Sequence, residues 1–569
     1  MALDDAKLLS EAYQFLRELE NAIQMQGNQH THLIPNADDL QQQLGILLGL
    51  KDWSSFIKQL NQYREFVHDY FCGLFADQEA AQGGVLIWPE DFSAQADDIV
   101  DSWERGFVNY GVSTQVRHRL RPLSRGLADY LSDQEFDASD TVLRLHDFFR
   151  SLPSGEQYFR LLAESPLLLS SIVPPLMHSP AMTLLLKQSP HIIDCYIHQP
   201  WSYPEPFDSE YVLHETDYGE QLELMRRFVN EHLYQLYLSF LNGALDANTF
   251  QSALTDLAKH SLDLAIEIVA NNMQLTSSPI TVIGMGKVAL GRMSPLSDLD
   301  LIFVFDHENT SLELASRFVA RLQTAIAAPM REGILYELDT RLRPSGRSGA
   351  PTVSIESFAN HHLKQAHTWE HIALVPSQVV AGNRATEAKL NQIKSSLIGQ
   401  QRDALQLSYD AQKMWQRIAE HRVKAVSVDI MFSKLREGGL MQAEYLAACE
   451  VLTHGHSLTA DSPDFDVLLA QIDSNSQLSE IIQFWRIQQL WERLLGNTDQ
   501  PVNSMPKPYL ELLLKQSGVS TLEELLEKKE KYASFVEQRM QQLFIEYETS
   551  AEELDSWQET GVQWAQLSG

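Results

Sequence analysis

The chain has 569 residues, of which 44% are hydrophobic and 21% charged, and its formal net charge is −32. This length accommodates several domains, and the strong negative charge excludes nucleic acid and anionic membranes as general partners. Three cysteines without CxxC spacing, an acidic N-terminus and an apolar stretch (161–186) interrupted by prolines predict a soluble cytoplasmic protein without a disulfide framework, a structural zinc site or a membrane span.

Most of the chain carries apolar residues at three- and four-residue spacing, which predicts α-helices. The predicted helices cover residues 5–26, 40–75, 141–163, 219–273, 390–425, 440–453, 478–496 and 521–548. Residues 164–198 are predicted as a series of short helices. There Ser165-Pro166, Ser179-Pro180 and Ser189-Pro190 each offer an N-cap followed by a first-turn proline.

Strand signals are concentrated between about residues 278 and 356. The β-rich segments are 279–285, 299–305, 333–339 and 350–355, and a predicted helix at 311–331 separates the second from the third. The sequence therefore predicts a mainly α fold with an embedded α+β domain, in which a small mixed sheet is flanked by helical bundles.

Two distant segments resemble each other. LSEAYQFLRELENAIQ (residues 9–24) and LSEIIQFWRIQQLWER (residues 478–493) share Leu, Ser, Glu, Gln, Phe and Arg at matching positions. One interpretation is chance similarity between two amphipathic helices. The other is a duplicated module, of which the first copy keeps only its tail.

Two carboxylates stand at the entrance of the most apolar predicted strand, in Ser297-Asp298-Leu299-Asp300. Residues two apart in a strand point to the same side, so Asp298 and Asp300 should lie together. Two adjacent like charges need a cation between them, and Mg²⁺ prefers oxygen ligands. Asp339, at the end of a later strand, supplies a third carboxylate. The three residues predict a two-metal site for phosphoryl transfer.

A glycine turn precedes these carboxylates. Gly284 and Gly286 allow close backbone approach, and Lys287 adds a cation where a triphosphate would lie. The spacing is not that of a Walker P-loop, so the prediction depends on the combination of the glycine turn with the aspartate strands.

These residues resemble the nucleotidyltransferases that adenylylate and deadenylylate glutamine synthetase. The motifs that carry the resemblance are GMGKVALGR (284–292), SDLDLIFVF (297–305), LDTRLRPSG (338–346), HTWEHIAL (367–374) and GGLMQAEY (438–445). The segment QMQGNQHTHLIP (24–35) also resembles the tail of the family's first module. The chain thus resembles the end of an adenylyl-removing module followed by a complete adenylylating module.

The resemblance implies an embedded nucleotidyltransferase domain and a division of the chain into four parts. These are a helical tail of a first module (1–90), a helical regulatory or linker bundle (91–275), the nucleotidyltransferase domain (276–389) and a C-terminal helical bundle (390–569).

The implied activity is Mg²⁺- and ATP-dependent adenylylation of a tyrosine of glutamine synthetase, which regulates nitrogen assimilation. Phosphorolytic removal of adenylate is the alternative with the same fold. A non-catalytic remnant that binds glutamine synthetase or the PII signalling protein is the alternative from another class.

The resemblance also implies roles for individual residues. Asp298 and Asp300 would hold both magnesium ions, and Asp339 the ion that activates the tyrosine hydroxyl. Lys287 and Ser297 would lie near the phosphates. Two arginines could also contact phosphate, Arg341 and Arg343. For each of them, a structural ion pair with a neighbouring acid is an equally good interpretation.

The sequence departs from the family pattern in the glycine loop and at two later positions. Where the family has Gly-Gly-Arg-Glu, this sequence has Ala289-Leu290-Gly291-Arg292, so bulkier residues replace flexible ones and a cation replaces a carboxylate. Gln442 stands where the family has aspartate, and Gln378 where it has arginine. The three aspartates are retained, so catalysis is expected, whereas Arg292 and Gln442 favour the regulatory remnant.

Histidines cluster in HHLKQAHTWEH (361–371). Because no HExxH motif is present, helix-surface or substrate contacts are favoured over a zinc site. Trp369 and Glu370 are expected to brace the nucleotide site. The histidines concerned are His361, His362, His367 and His371.

Overall fold

A computed structural model describes residues 12–17, 19, 22, 53–75, 93–105, 138–151, 166–195, 209–342, 350–420, 430–455, 464–472, 477–496 and 501–544. The chain forms two compact units, Met1–Leu86 and Ile87–Gly569. Within these described residues, no helix combines the length and the apolar composition needed to cross a membrane.

The first unit contains helix α1 (Trp53–Phe75) and an earlier helical segment around residues 12–22. Phe15 of that segment packs with Phe56 and Tyr63 of α1, at ring-centroid distances of 6.2 and 5.2 Å. In the part of the chain that the structure describes, the first strand begins only at Thr281.

The second unit is built mainly from α-helices around a small sheet, which confirms the predicted fold class. The helices before the sheet are α2 (Ala94–Arg105), α3 (Ala138–Ser151), α4 (Pro166–His178), α5 (Pro180–Gln188), α6 (Ile192–Cys195), α7 (Ser209–His214), α8 (Tyr218–Leu241) and α9 (Ala247–Asn272). The remaining helices are α10 (Gly286–Ala289), α11 (Leu312–Ala327), α12 (Ile355–Lys364), α13 (Thr368–Leu374), α14 (Glu387–Ile398), α15 (Ala404–Glu420), α16 (Leu440–His454), α17 (Phe465–Ile472), α18 (Gln477–Leu495), α19 (Lys507–Gln516) and α20 (Leu522–Leu543).

The long helix predicted over residues 219–273 is two helices, α8 and α9. Gly243 adopts φ +71°, which ends the first helix. Asp246 begins the second, because its carboxylate accepts the backbone N–H of Thr249 at 2.9 Å. The prediction over 390–425 likewise divides, at Gly399, into α14 and α15, and residues 421–425 lie outside the described residues.

The sheet has five strands: β1 (Thr281–Gly284), β2 (Leu299–Phe305), β3 (Leu338–Asp339), β4 (Val353–Ser354) and β5 (Gln378–Gly382). The order is β3-β2-β1-β5, and β4 also pairs with β2. Strand β1 is antiparallel to β2 and β5, whereas β2 is parallel to β3 and β4, so the sheet is mixed as predicted. Strand β5 was not predicted.

The strand predicted over 333–339 is wrong except for Leu338–Asp339. The fully buried guanidinium of Arg226 donates to the carbonyls of Gly333 (3.0 Å) and Ala325 (2.6 Å). Asn230 donates to the carbonyl of Glu332 at 2.9 Å. The Leu335 backbone N–H donates to the Ile326 carbonyl of α11 at 3.1 Å, so the start of the segment is bonded to helices and not to a strand. Bonding to β2 begins at Glu337, whose carbonyl accepts the Leu299 N–H at 2.9 Å.

The C-terminal bundle packs on the helices that precede the sheet. Trp485 and Trp491 of α18 are fully buried, and the Trp491 ring lies 4.8 Å from that of Phe240 in α8. As predicted, Ser179 and Pro180 begin a short helix, and the Ser179 hydroxyl also donates to the Leu494 carbonyl at 2.6 Å. Helices distant in sequence therefore form one framework around the sheet.

A buried lysine on α14 gives a testable pH dependence. Burial lowers the pKa of Lys394 to about 7, and its ammonium donates to the Ser377 carbonyl at 2.5 Å. Between pH 7 and 10.5 the unfolded chain binds the additional proton, so wild-type stability rises with pH across this window. Lys394→Met removes this titration. Above pH 7, the free energy of unfolding of the variant should therefore fall relative to that of wild type, by about 1.4 kcal/mol per pH unit. The measurement is chemical unfolding of both proteins at pH 6 to 9. Lys389→Met, at an exposed position of the same helix, is the control and should show no such decline.

Candidate active site

The three predicted aspartates lie together at one end of the sheet. Asp298 immediately precedes β2, Asp300 is its second residue, and Asp339 of β3 is directly paired with Asp300 in the parallel register. One carboxylate oxygen from each lies within 4.8 Å of the others. The side-chain alternation of β2 and the register with β3 therefore produce the triad.

The negative charge of the triad is not balanced by the described protein groups around Asp300. Asp300 is only 8% exposed, and its Oδ1 atom is buried without a hydrogen-bond partner among the described residues. Burial, followed by the charges of Asp298 and Asp339, raises the pKa of Asp300 well above its ordinary value. A bound cation would relieve both the desolvation and the repulsion. Three clustered carboxylates are the donor set that suits Mg²⁺.

Arg341 contacts the third carboxylate. Its Nε lies 2.9 Å from each oxygen of Asp339, and its backbone N–H also donates to Oδ1 at 2.9 Å. Arg341 thus forms the structural ion pair that was one of its two predicted roles. A metal ion at Asp339 would have to share this carboxylate with Arg341. Arg343 lies outside the described residues.

The glycine turn presses against the triad. Gly286 has φ +54°, and a Cβ at this position would lie 2.8 Å from Asp300 Oδ2. The Met285 backbone N–H donates to the Asp300 carbonyl at 2.8 Å, which holds the turn on β2. Gly284 serves a different approach, since a Cβ there would lie 2.6 Å from Val380 Cγ1 in β5.

Two lysines face the carboxylates. The Nζ of Lys287 is buried without a hydrogen-bond partner among the described residues. Burial lowers the pKa of Lys287 well below its ordinary value, and the positive charges of Lys434 and Arg493 add to this effect. Burial also lowers the pKa of Lys434 to about 8. Phosphate oxygens would be suitable acceptors for the unpartnered ammonium group of Lys287.

Ser297 does not lie on the cavity wall. Its hydroxyl is 2.8 Å from that of Ser294 and accepts the Ser294 backbone N–H at 3.2 Å. These hydrogen bonds stabilise the turn that precedes Asp298. The contact of Ser297 with phosphate stays a prediction.

A cavity with about 1030 Å³ of open space, including space open to solvent, extends from Asp298, Asp300 and Lys287. One wall is apolar, as expected for a surface that receives a flat heteroaromatic ring. It includes Leu290, Ile372, Ala373, Met441, Tyr445 and Phe465.

The C-terminal bundle supplies polar cavity residues that were not predicted as site residues. Arg486 of α18 is only 4% exposed and donates through Nε to Glu444 Oε1 of α16 at 3.0 Å. Lys434 precedes α16. Glu444 lies in the motif GGLMQAEY (438–445), which could have identified it as a site residue. Nothing in the local sequence of α18 distinguishes Arg486.

The departures from the family pattern have identifiable partners. Arg292 lines the cavity and lies 3.4 Å from Asp466. Gln442 accepts the backbone N–H of Gly438 at 2.9 Å, and Gln378 donates to Asp464 at 2.5 Å. Both glutamines thus make hydrogen bonds that neutral amides can form.

The histidine cluster does not line the cavity. None of its four histidines is among the cavity-lining residues of the described chain, and neither is Trp369 or Glu370. Glu370 instead contacts His361 Nε2 at 2.5 Å and accepts the His367 backbone N–H at 3.0 Å. Burial lowers the pKa of His362 to about 3. The residues of α13 that reach the cavity are Ile372 and Ala373.

Comparison with family models gives two matches. Residues 157–393 match the glutamate-ammonia ligase adenylyltransferase family, and residues 1–75 match the PII-uridylyltransferase family (GlnD). The first match contains all three aspartates and the glycine turn.

Curated relatives extend the similarity over most of the chain. Three are named bifunctional glutamine synthetase adenylyltransferase/adenylyl-removing enzyme. The protein of Brucella melitensis is 27% identical over 91% of this chain and 57% of its own length. Those of Rhizobium meliloti and Agrobacterium fabrum are 29% and 28% identical over 78% and 77% of this chain, and 49% and 48% of their own lengths. The chain therefore spans about half the length of the curated relatives it matches. Together these matches confirm the resemblance predicted from the motifs: over most of its length the chain is similar to the glutamine synthetase adenylyltransferase/adenylyl-removing enzymes.

Proposed function

We propose that this chain transfers the adenylyl group of ATP to a tyrosine hydroxyl of glutamine synthetase, and so takes part in the regulation of nitrogen metabolism. The observation that carries the proposal is the convergence of Asp298, Asp300 and Asp339 beside buried lysines at one end of a cavity. The names of the relatives supply the substrate class.

The residues present fit magnesium. The buried, unpartnered Oδ1 of Asp300 and the adjacent carboxylates of Asp298 and Asp339 are the ligands we assign to it. When bound, Mg²⁺ would neutralise phosphate charge and lower the pKa of the attacking hydroxyl.

The reaction is a substitution at the α-phosphorus. The tyrosine oxygen forms a bond to the α-phosphorus, and the bond to the bridging oxygen breaks, which releases pyrophosphate. The hydroxyl proton passes to a carboxylate of the site. Lys287 and Lys434 stabilise the charge on the phosphate oxygens, because the negative charge of the phosphates offsets the burial that lowers the pKa of each amine and so favours its protonated form. The apolar wall binds the base and excludes water.

The test is transfer of label. The chain is incubated with ATP labelled at the α-phosphate, Mg²⁺ and unmodified glutamine synthetase, and label is measured on the synthetase. ATP labelled at the γ-phosphate is the control, because that label leaves with pyrophosphate. Label from the γ-position on the synthetase would indicate phosphorylation and contradict the proposal.

The direction is also part of the proposal. The names of the relatives give two opposing activities, and the described residues of this chain contain a single triad of aspartates. One triad cannot run both reactions under separate control, and its place in the motif order resembles the adenylylating module. We therefore expect little release of ADP from adenylylated glutamine synthetase and phosphate. Removal faster than transfer would reverse the assignment.

Arg292 favours a second candidate, a non-catalytic remnant that binds glutamine synthetase or PII. It places a cation in the cavity close to Asp466, and Arg486 further lowers its pKa after burial. We expect Arg292→Glu to increase adenylylation about tenfold, because it removes a cation that repels Arg486 and would compete with the metal ions. Arg227→Glu, at an exposed site on α8, should leave the rate unchanged. Absence of transfer in both wild type and Arg292→Glu would support the remnant.

A further inference from the structure

The two consecutive helices α12 and α13 bring a pair of histidines against a glutamate. His361 and His362 are neighbours near the end of α12, and Glu370 lies in the first turn of α13. One ligand atom from each residue lies within 4.8 Å of the others. Imidazole and carboxylate together are a donor set typical of zinc, whereas the aspartate triad is a donor set typical of magnesium.

His362 gives an independent indication of a ligand. It is 2% exposed, and neither of its ring nitrogens has a hydrogen-bond partner among the described residues. A buried imidazole in this state loses its hydrogen bonds to water without replacement. The apolar face of the His362 ring packs on Phe358, at a ring-centroid distance of 4.4 Å, whereas its two nitrogens have no bonding partner among the described residues. A metal bond to one of them would remove part of the cost.

We propose that His361, His362 and Glu370 form a zinc site that fastens α12 to α13. The Nε2 of His361 already lies 2.5 Å from Glu370 Oε2, and the other oxygen of Glu370 is fixed by the His367 backbone N–H. Ligand atoms of a tetrahedral zinc site lie about 3.3 Å apart, given bonds of about 2.0–2.1 Å. Small side-chain rotations therefore suffice. The partial exposure of His361 and Glu370 leaves an entry path and a fourth position for water.

The site would act on the cavity through α13. This helix carries Ile372 and Ala373, which form part of the apolar wall. Fixing the start of α13 to α12 would hold that wall in place. The zinc would hold the two helices together, at a site that the cysteine spacing and the absence of an HExxH motif did not predict. The proposal stands whether or not the chain transfers adenylate.

A second histidine-containing cluster provides the control. Asp306, His307 and Glu356 also bring ligand atoms within 4.8 Å of one another. There His307 is 58% exposed, and Glu356 is already paired with Lys389 at 3.0 Å. This cluster is explained as a surface ion pair and should not retain zinc.

The experiment is a zinc titration of the full chain, stripped with a chelator and kept in excess Mg²⁺ so that the aspartate triad is saturated. We expect one equivalent of zinc to bind, a rise in the unfolding temperature, and a tetrahedral absorption spectrum with Co²⁺. His362→Leu and Glu370→Gln should each weaken zinc binding by roughly 100-fold, whereas His307→Ala should bind as wild type.

His362→Leu also separates loss of the ligand from loss of the fold. Leucine removes the two unpartnered nitrogens, so its metal-free unfolding temperature should equal or exceed that of wild type. The proposal is overturned if wild type binds no zinc, if both ligand variants bind like wild type, or if His307→Ala loses the metal.

Discussion

Asp300→Asn is expected to reduce adenylyl transfer by about 1,000-fold or more while leaving the fold intact. The substitution removes one of three carboxylates that converge at the sheet end, and a lost metal ligand costs several kcal/mol of transition-state stabilisation. Asp298→Asn should have a similar effect. The measurement is the initial rate of label transfer from ATP to glutamine synthetase at saturating Mg²⁺.

Stability in the absence of metal provides a second readout. The buried Asp300 carboxylate is repelled by Asp298 and Asp339, so a neutral asparagine should leave the metal-free unfolding temperature unchanged or raise it. Asp306→Asn is the matched control, because Asp306 follows the opposite end of the same strand. Near-normal transfer by Asp300→Asn, or an equal loss in Asp306→Asn, would contradict the assignment of the metal site.

The aspartate triad was predictable because its geometry follows from local rules. Alternation along a strand places Asp298 and Asp300 on one side, and a second apolar strand ending in Asp339 can bring its carboxylate beside them only if the two strands pair in parallel. The structure has this register, with Asp300 opposite Asp339. The combination was recognisable because each part constrained the others.

The cavity residues that come from the C-terminal bundle were not predictable in the same way. Glu444 and Arg486 come from helices that reach the sheet by packing, and helical periodicity identifies a buried face without identifying what it faces. Lys434 lies in an irregular segment, and no motif around it in the sequence predicts that it binds an anion. These residues needed the arrangement of α16 and α18 before any role could be assigned.

Two of the errors in the predicted secondary structure have different causes. The break between α8 and α9 had local signals, a glycine at 243 and an N-cap aspartate at 246, that the apolar periodicity obscured. The loss of the strand over 333–337 had none, since it depends on tertiary contacts such as the hydrogen bond from Arg226, more than 100 residues away, to the Gly333 carbonyl. The first was avoidable from sequence, and the second was a tertiary effect.

Gly286→Ala is expected to reduce transfer by about 100-fold or more, through the contact between the glycine turn and the triad. A Cβ at this position would lie 2.8 Å from Asp300 Oδ2, so either the turn or the carboxylate must move. Displacing a metal ligand by even about 1 Å costs rate on this scale. Gly291→Ala is the matched control. Gly291 also has a positive φ, +69°, but has no atoms within 4 Å of the position of the added Cβ.

Both substitutions should lower the free energy of unfolding by at least about 1 kcal/mol, because alanine is strained at positive φ in each case. Only Gly286→Ala should also weaken Mg²⁺ binding, measured by calorimetry, and slow the transfer of label. This difference isolates the contact with Asp300 from the shared cost of the backbone. Equal rates in the two variants would mean that the turn holds the nucleotide without setting the position of the carboxylate, and the close approach at Gly286 would then be a packing feature alone.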